Sequence, residues 1–114
     1  MNSDEKKQAI ASRLALARKN AGLSQGQVAQ MIGLHRPSVS EIEAGRRNVL
    51  GEELGKLAEI YGVDIDWLAC SDTNKTDEKR DKIQLAAREL SKLKKEDLNK
   101  VIDMLSALKE EDKS

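Results

Sequence analysis

Residues 25–43 have the sequence QGQVAQMIGLHRPSVSEIE, and this stretch decides the fold of the chain. Two short helices can cross at a steep angle when a small side chain lies at the crossing and the turn between them accepts a positive φ. Ala29 is the small residue, and Gly33, four positions later, can take the left-handed conformation that ends the first helix. Val39 and Ile42 give the second helix an inward apolar stripe. The stretch therefore predicts a helix-turn-helix.

The outward face of the second helix, predicted over residues 36–44, is polar. It presents Arg36, Ser40 and Glu41. These side chains have the hydrogen-bonding chemistry that suits base edges in the major groove, where each base pair shows its own pattern of donors and acceptors. The face therefore predicts contact with double-stranded DNA.

Start and stop signals around the motif predict three further helices. Ser3 opens the first, and Gly22 closes it after apolar residues that recur at helical spacing. Ser24 caps the helix-turn-helix, Gly62 ends the helix that follows it, and Asp64 caps a short last helix. The predicted helices cover residues 3–21, 25–32, 36–44, 52–61 and 65–69. Runs of β-branched and aromatic residues are absent, which argues against strands and favours an all-α fold.

Composition narrows the class of protein. The 114 residues suit one domain with an appendage. No apolar run approaches the roughly 18 residues that span a bilayer, and residues 1–8 lack the apolar core of a signal peptide. Cys70 is the only cysteine, and no His or Cys cluster has metal-ligand spacing. We therefore expect a cytoplasmic protein without metal, cofactor or membrane contact, and no enzymatic activity, because no nucleophile–base pair is visible.

The net charge of zero is unusual for a protein that meets phosphates, but the charges are unevenly distributed. Residues 13–47 contain six basic and two acidic side chains. Residues 49–72 reverse this balance, with one basic and six acidic side chains. A basic face can therefore exist on a neutral chain.

Several separate features in register resemble the Cro and phage-repressor family of helix-turn-helix proteins, also called the xenobiotic-response-element (XRE) type. These features are Arg13-Leu14 and Arg18, Ser24-Gln25, Ala29 with Gly33, IEAGRR at 42–47 and GVDIDWL at 62–68. The resemblance covers residues 10–70 and implies a five-helix, lambda-repressor-like DNA-binding domain over residues 1–70.

The resemblance also implies roles for individual residues. An ion pair between Arg18 and Glu43 is implied behind the DNA-binding surface. The residues predicted to face bases are Arg36, Ser38, Ser40 and Glu41. The residues predicted to contact phosphates are Ser24, Gln25, His35, Arg46, Arg47 and Asn48. Glu41 would accept from cytosine N4 or steer Arg36, whereas Pro37 cannot hydrogen-bond a base.

A second helical signal, predicted over residues 79–111, follows a polar linker at residues 71–78. Two apolar stripes with the same offsets of 0, 3, 4, 7 and 10 begin at Ile83 and Leu98. A helix of about 15 residues is marginal alone, so these stripes must pack on each other, on the first domain or on a second chain. Acidic residues after Lys95 suit a helix start, which favours a hairpin over one continuous helix.

A second copy of the chain is the preferred partner, since a two-fold dimer reads two half-sites about one helical turn apart. The residues predicted to dimerise are Ile83, Ala87, Leu90, Leu93, Leu98, Val101, Ile102, Leu105 and Leu108. The sequence thus predicts a dimeric, sequence-specific transcriptional regulator, most simply a repressor. Two alternatives are an antitoxin that controls its own operon and a helix-turn-helix adaptor that binds protein. A toxin, a peptidase or an anti-repressor would be the protein partner.

Overall fold

Seven α-helices form all the regular structure of residues 2–71 and 77–111, the parts of the chain that this computed structural model describes. In chain order they are α1 (Ser3–Asn20), α2 (Gln25–Ile32), α3 (Arg36–Glu43), α4 (Gly51–Tyr61), α5 (Ile65–Leu68), α6 (Glu78–Ser91) and α7 (Lys95–Glu111). No strand occurs in these parts, and the predicted all-α fold is confirmed. Residues 72–76 of the predicted linker lie outside the described residues.

Local signals in the sequence set the helix ends, with small shifts from the prediction. The cap of α1 is Asn2 rather than Ser3, since the Asn2 side-chain oxygen accepts a backbone N–H from three residues later at 2.8 Å. The helix α4 begins one residue earlier than predicted, at Gly51. Its N-cap is Leu50, whose backbone N–H donates to the Glu53 carboxylate at 3.0 Å. This bond supplies half of a capping box where no capping side chain is present.

The turn between α2 and α3 has the geometry that the sequence predicts. Gly33 ends α2 with φ +75°, and its N–H donates to the Ala29 carbonyl. The N–H of Leu34 donates to the same carbonyl at 2.9 Å. The Ala29 side chain is buried where the two helices cross. The helix α3 ends at Glu43, one residue before the predicted end.

The helices α1 to α5 enclose an aliphatic core. Tyr61, which is 5% exposed, is its one buried aromatic residue among the described positions. Burial of these side chains supplies the main stabilising term of such a domain. The buried apolar residues of this core are Ala9, Ala11, Leu14, Ala17, Val28, Ala29, Val39, Ile42, Leu54, Leu57, Ala58, Tyr61, Val63 and Leu68.

The chain divides into two compact units, residues 1–82 and residues 83–114. The first unit contains α1 to α5 and the first turn of α6. The second unit contains the rest of α6 and all of α7.

Two charged side chains are buried in the first unit. Arg13 of α1 is 1% exposed and Asp81 of α6 is 2% exposed, and their Nη2 and Oδ1 atoms are 3.0 Å apart. Arg13 also donates to the Trp67 carbonyl, and its guanidinium lies 4.8 Å from the centroid of the Trp67 ring. Trp67 is therefore half-buried against a cation rather than enclosed in the aliphatic core. The ion pair joins the first turn of α6 to α1.

The second unit presents most of its predicted apolar stripes to solvent. In the part of α6 that belongs to this unit, Leu85 is buried, while Ile83 and Ala87 are exposed. In α7 the side chains of Ile102, Met104, Leu105 and Leu108 are all exposed. Residues 92–94 separate two helices, which excludes one continuous helix. Leu90, Leu98 and Val101 are partly exposed.

Candidate nucleic-acid interface

The helix α3 places its predicted base-facing residues on an outward surface. Val39 and Ile42 are buried beneath the helix. Arg36 is exposed, while Ser38, Ser40 and Glu41 are partly exposed. The inward pair fixes the orientation of α3, so its polar side chains are held toward solvent by the core itself.

Arg36 lies where two helices begin. It is the first residue of α3, and its Cδ atom is 3.8 Å from the position that a Cβ on Gly26, near the start of α2, would occupy. A cation at a helix N-terminus is unfavourable because the backbone N–H groups there carry partial positive charge. No carboxylate of the described residues pairs with Arg36. The two helix starts and this cation together form a site that favours an anion.

The start of α2 is tied down by its own side chains. Ser24 Oγ accepts from Gln27 N–H at 3.0 Å, and Gln27 Oε1 accepts from Ser24 N–H at 2.8 Å. This capping box leaves the Ser24 hydroxyl proton available to donate. The Gln25 side-chain amide donates to Glu43 Oε1 at 3.1 Å. Gln25 is thus engaged inside the protein as well as placed at a helix start.

Arg18 of α1 and Glu43, the last residue of α3, form an ion pair whose side chains are only 13% and 7% exposed. Arg18 Nε donates to Glu43 Oε2 at 2.8 Å and Nη2 donates to Oε1 at 3.0 Å. Nη1 donates to the Leu23 carbonyl at 2.9 Å. The hydrogen bonds that Arg18 donates to Glu43 raise the pKa of Arg18. The pair fastens α1 to the end of α3, and burial beside it raises the pKa of Tyr61.

The Arg46 side chain forms a fork with Glu41. Nε donates to Oε2 at 2.7 Å and Nη2 donates to Oε1 at 2.9 Å. Both side chains are largely in solvent, at 64% and 44% exposed. The bond from Arg46 lowers the pKa of Glu41. Two residues predicted to touch DNA separately are thus paired with each other.

Arg47 forms a similar fork with Glu53 of α4, at 3.1 and 3.0 Å. This bond lowers the pKa of Glu53. The neighbouring Asn48 is exposed, as is His35 at the N-cap of α3. The loop from α3 to α4 therefore presents one amide and two arginines, each arginine already holding a carboxylate.

Known proteins match this arrangement. The sequence model of the helix-turn-helix family HTH_3 matches residues 14–68, from α1 to the end of α5. The restriction-modification controller protein C.AhdI from Aeromonas hydrophila is 31% identical, with a TM-score of 0.55 over 60% of this chain and 99% of that chain. The chain belongs to the HTH_3 family.

Other HTH_3-like structures agree. The hypothetical transcription factor NHTF from Neisseria is 28% identical, with a TM-score of 0.57 over 73% of this chain and 90% of that chain. An HTH_3 family transcriptional regulator from Vibrio cholerae is 27% identical, with a TM-score of 0.54 over 62% of this chain and 40% of that one. Membership of HTH_3, the XRE type predicted from the sequence, places the chain among DNA-binding transcriptional regulators.

The described residues of this HTH_3 protein lack two features. None of their helices is both long and apolar enough to cross a membrane. No group of three or more His, Cys, Asp or Glu side chains among them is arranged to hold a metal ion.

Sequence reasoning missed the acidic partners of the HTH_3 loop arginines. Glu41 and Arg46 are five positions apart across a turn at Gly45, a spacing that no helical pairing rule covers. Glu53 accepts from Arg47 because it lies in the first turn of α4, beside the loop. The equal numbers of acids and bases were the only sequence signal of such pairing.

Proposed function

We propose that this HTH_3 protein is a sequence-specific transcriptional repressor that binds a palindromic operator as a dimer, with α3 in the major groove. The observation that carries the proposal is Arg36, an exposed cation at the starts of α2 and α3, without a carboxylate partner in the described residues. DNA supplies the anion or acceptor that this place lacks. Ser38, Ser40 and Glu41 lie on the same outward helix and complete a surface of donors and acceptors.

Arg36 is the proposed guanine reader, since bidentate donation to O6 and N7 is the commonest specific contact of arginine. Its replacement by alanine should weaken binding to a selected site by about 1–3 kcal/mol and relax the preference at one position in each half-site. The measurement is selection of bound sites from a random DNA pool with the full chain, followed by titration of the selected duplex.

The comparator is Arg47→Ala, at another residue predicted to contact phosphate. Loss of a phosphate contact should weaken binding to every DNA sequence alike. It should also reduce the slope of the logarithm of the binding constant against the logarithm of the salt concentration by about one. Equal, sequence-independent losses from both substitutions would remove Arg36 as the reader. A chain that binds no DNA at low salt would remove the whole proposal and favour the protein-binding adaptor.

Dimerisation through the second unit is supported by the exposed stripe of α7. Ile102, Leu105 and Leu108 lie on one side of this helix and are all exposed. A second copy of the chain fits this stripe because a two-fold axis brings identical apolar faces together. Two bound half-sites then add their free energies, which a single domain cannot achieve.

A lysine at Leu105 tests the dimer. Leu105 is 55% exposed near the centre of the stripe, and Leu105→Lys would place two like charges across the axis. Two lost leucines at about 1.5–3 kcal/mol each should raise the dimer dissociation constant at least about a hundredfold. Sedimentation equilibrium measures this constant. Asn99→Lys, outside the stripe, is the control and should sediment like the unmodified chain. If the unmodified chain sediments as a monomer, the stripe is instead the binding surface for a toxin, a peptidase or an anti-repressor.

Repression is the proposed sign of regulation because occupying a promoter requires no further contact surface. Expression of a reporter placed behind the selected site should fall when the full chain is present. A rise would reassign the protein as an activator.

A further inference from the structure

The fork between Glu41 and Arg46 is unusual in its position. Glu41 belongs to the outward face of α3, and Arg46 belongs to the loop after it. Both are solvent-exposed, yet they meet in a bidentate pair of 2.7 and 2.9 Å. The backbone N–H of Arg46 also donates to the Glu41 carbonyl, at 2.9 Å. The two residues are thus joined at main chain and side chain.

The free protein uses only one edge of the Arg46 guanidinium. Nε and Nη2 hold Glu41. The other edge can face a phosphate, but the Glu41 carboxylate beside it repels the incoming negative charge, so the phosphate competes with Glu41 for this arginine. The competition ends if Glu41 finds another donor.

DNA offers such a donor at some sequences only. The cytosine N4 amine in the major groove donates to carboxylates, whereas guanine presents acceptors at the corresponding place. At a suitable cytosine, Glu41 exchanges one partner for another. At other sequences the carboxylate either keeps Arg46 or stands without a donor, and both outcomes weaken binding.

We infer that Glu41 is a specificity-determining residue that releases Arg46 to the DNA backbone only when a base amine takes its place. This inference rests on the proposed function, and deepens it. Arg46 then contributes to affinity in a sequence-dependent way, although the group it touches is a phosphate. At unsuitable sites Glu41 keeps the Arg46 charge from the DNA backbone. At a suitable site it also accepts a hydrogen bond from the cytosine amine.

The test uses the full chain, a duplex selected from a random pool and a duplex of unrelated mixed sequence. Glu41→Gln should strengthen binding to the mixed duplex about two- to fivefold, the effect expected when an exposed ion pair no longer has to be broken. On that duplex, the slope of the logarithm of the binding constant against the logarithm of the salt concentration should become steeper by about one, because one more phosphate is contacted. Binding to the selected duplex should not strengthen, so the ratio between the two affinities falls.

An Arg46→Gln background separates release of the arginine from simple loss of a negative charge. There, most of the gain from Glu41→Gln on the mixed duplex should disappear, because no arginine remains to be released. Glu59→Gln removes the same charge from an exposed position of α4 and should give little gain. Equal gains in both backgrounds, or an equal gain from Glu59→Gln, would overturn the inference while the proposed function stands. A chain that binds neither duplex would overturn both.

Discussion

Replacing Asp81 by alanine is expected to lower the free energy of unfolding by about 3 kcal/mol or more, within the usual range of about 3–5 for stranding a buried charge. Arg13 cannot reach water, since it is 1% exposed, and Asp81 is its buried counter-ion at 3.0 Å. The Trp67 carbonyl and ring would still contact the guanidinium and soften the loss. Urea denaturation followed by far-ultraviolet circular dichroism measures the change.

Two variants separate charge from packing at this site. The combination of Arg13→Met with Asp81→Leu removes both charges and should recover most of the lost stability, because apolar side chains of similar size often replace a buried ion pair without loss. Asp103→Ala removes an exposed carboxylate from α7 and should have little effect. Asp81→Ala behaving like Asp103→Ala would mean that Arg13 is not buried in solution.

Glu43→Ala is expected to have the second largest effect on stability, about 3 kcal/mol. The substitution leaves Arg18 with the Leu23 carbonyl as an acceptor and removes the acceptor of the Gln25 amide. The Arg18 side chain is 13% exposed, so it is more accessible to water than Arg13. The expected loss of unfolding free energy is therefore at the lower end of the range for a broken buried ion pair. Thermal melting and urea denaturation of the full chain measure it.

Glu41→Ala is the matched control for this prediction. It breaks a bidentate pair of the same chemistry, two residues away on the same helix, but at an exposed position. Exposed pairs contribute little, so the melting temperature should hardly change. Similar melting temperatures for Glu41→Ala and Glu43→Ala would contradict the structural role of the buried pair.

Local chemistry made most of the first unit predictable. Gly33 and Gly62 end helices with φ of +75° and +66°, as their positions after apolar periodic segments indicated. The Ser24 cap of α2 is present. The contact between Arg18 and Glu43 was an implication of the family resemblance, because residues 25 positions apart carry no local signal of contact.

The contact between Arg13 and Asp81 was not predictable from a single sequence. Asp81 is one acid among the alternating charges of an amphipathic segment, where such residues are usually solvated. Periodicity likewise pointed to the stripe that begins at Ile83, whereas α6 buries Asp81 and Leu85. A periodic pattern shows that a helix has an apolar face, but the partner of that face is a tertiary property.

The packing of Arg13 against Trp67 also provides an optical signal. Trp67 is the only tryptophan in the chain, and a guanidinium lies 4.8 Å from its ring centroid. The emission of an indole depends on the electric field and the water around it. Because Asp81 holds that guanidinium in place, undocking the first turn of α6 would alter the fluorescence of this single residue. The protein therefore contains a label-free reporter, fast enough for stopped-flow kinetics, for any event that separates this turn from α1.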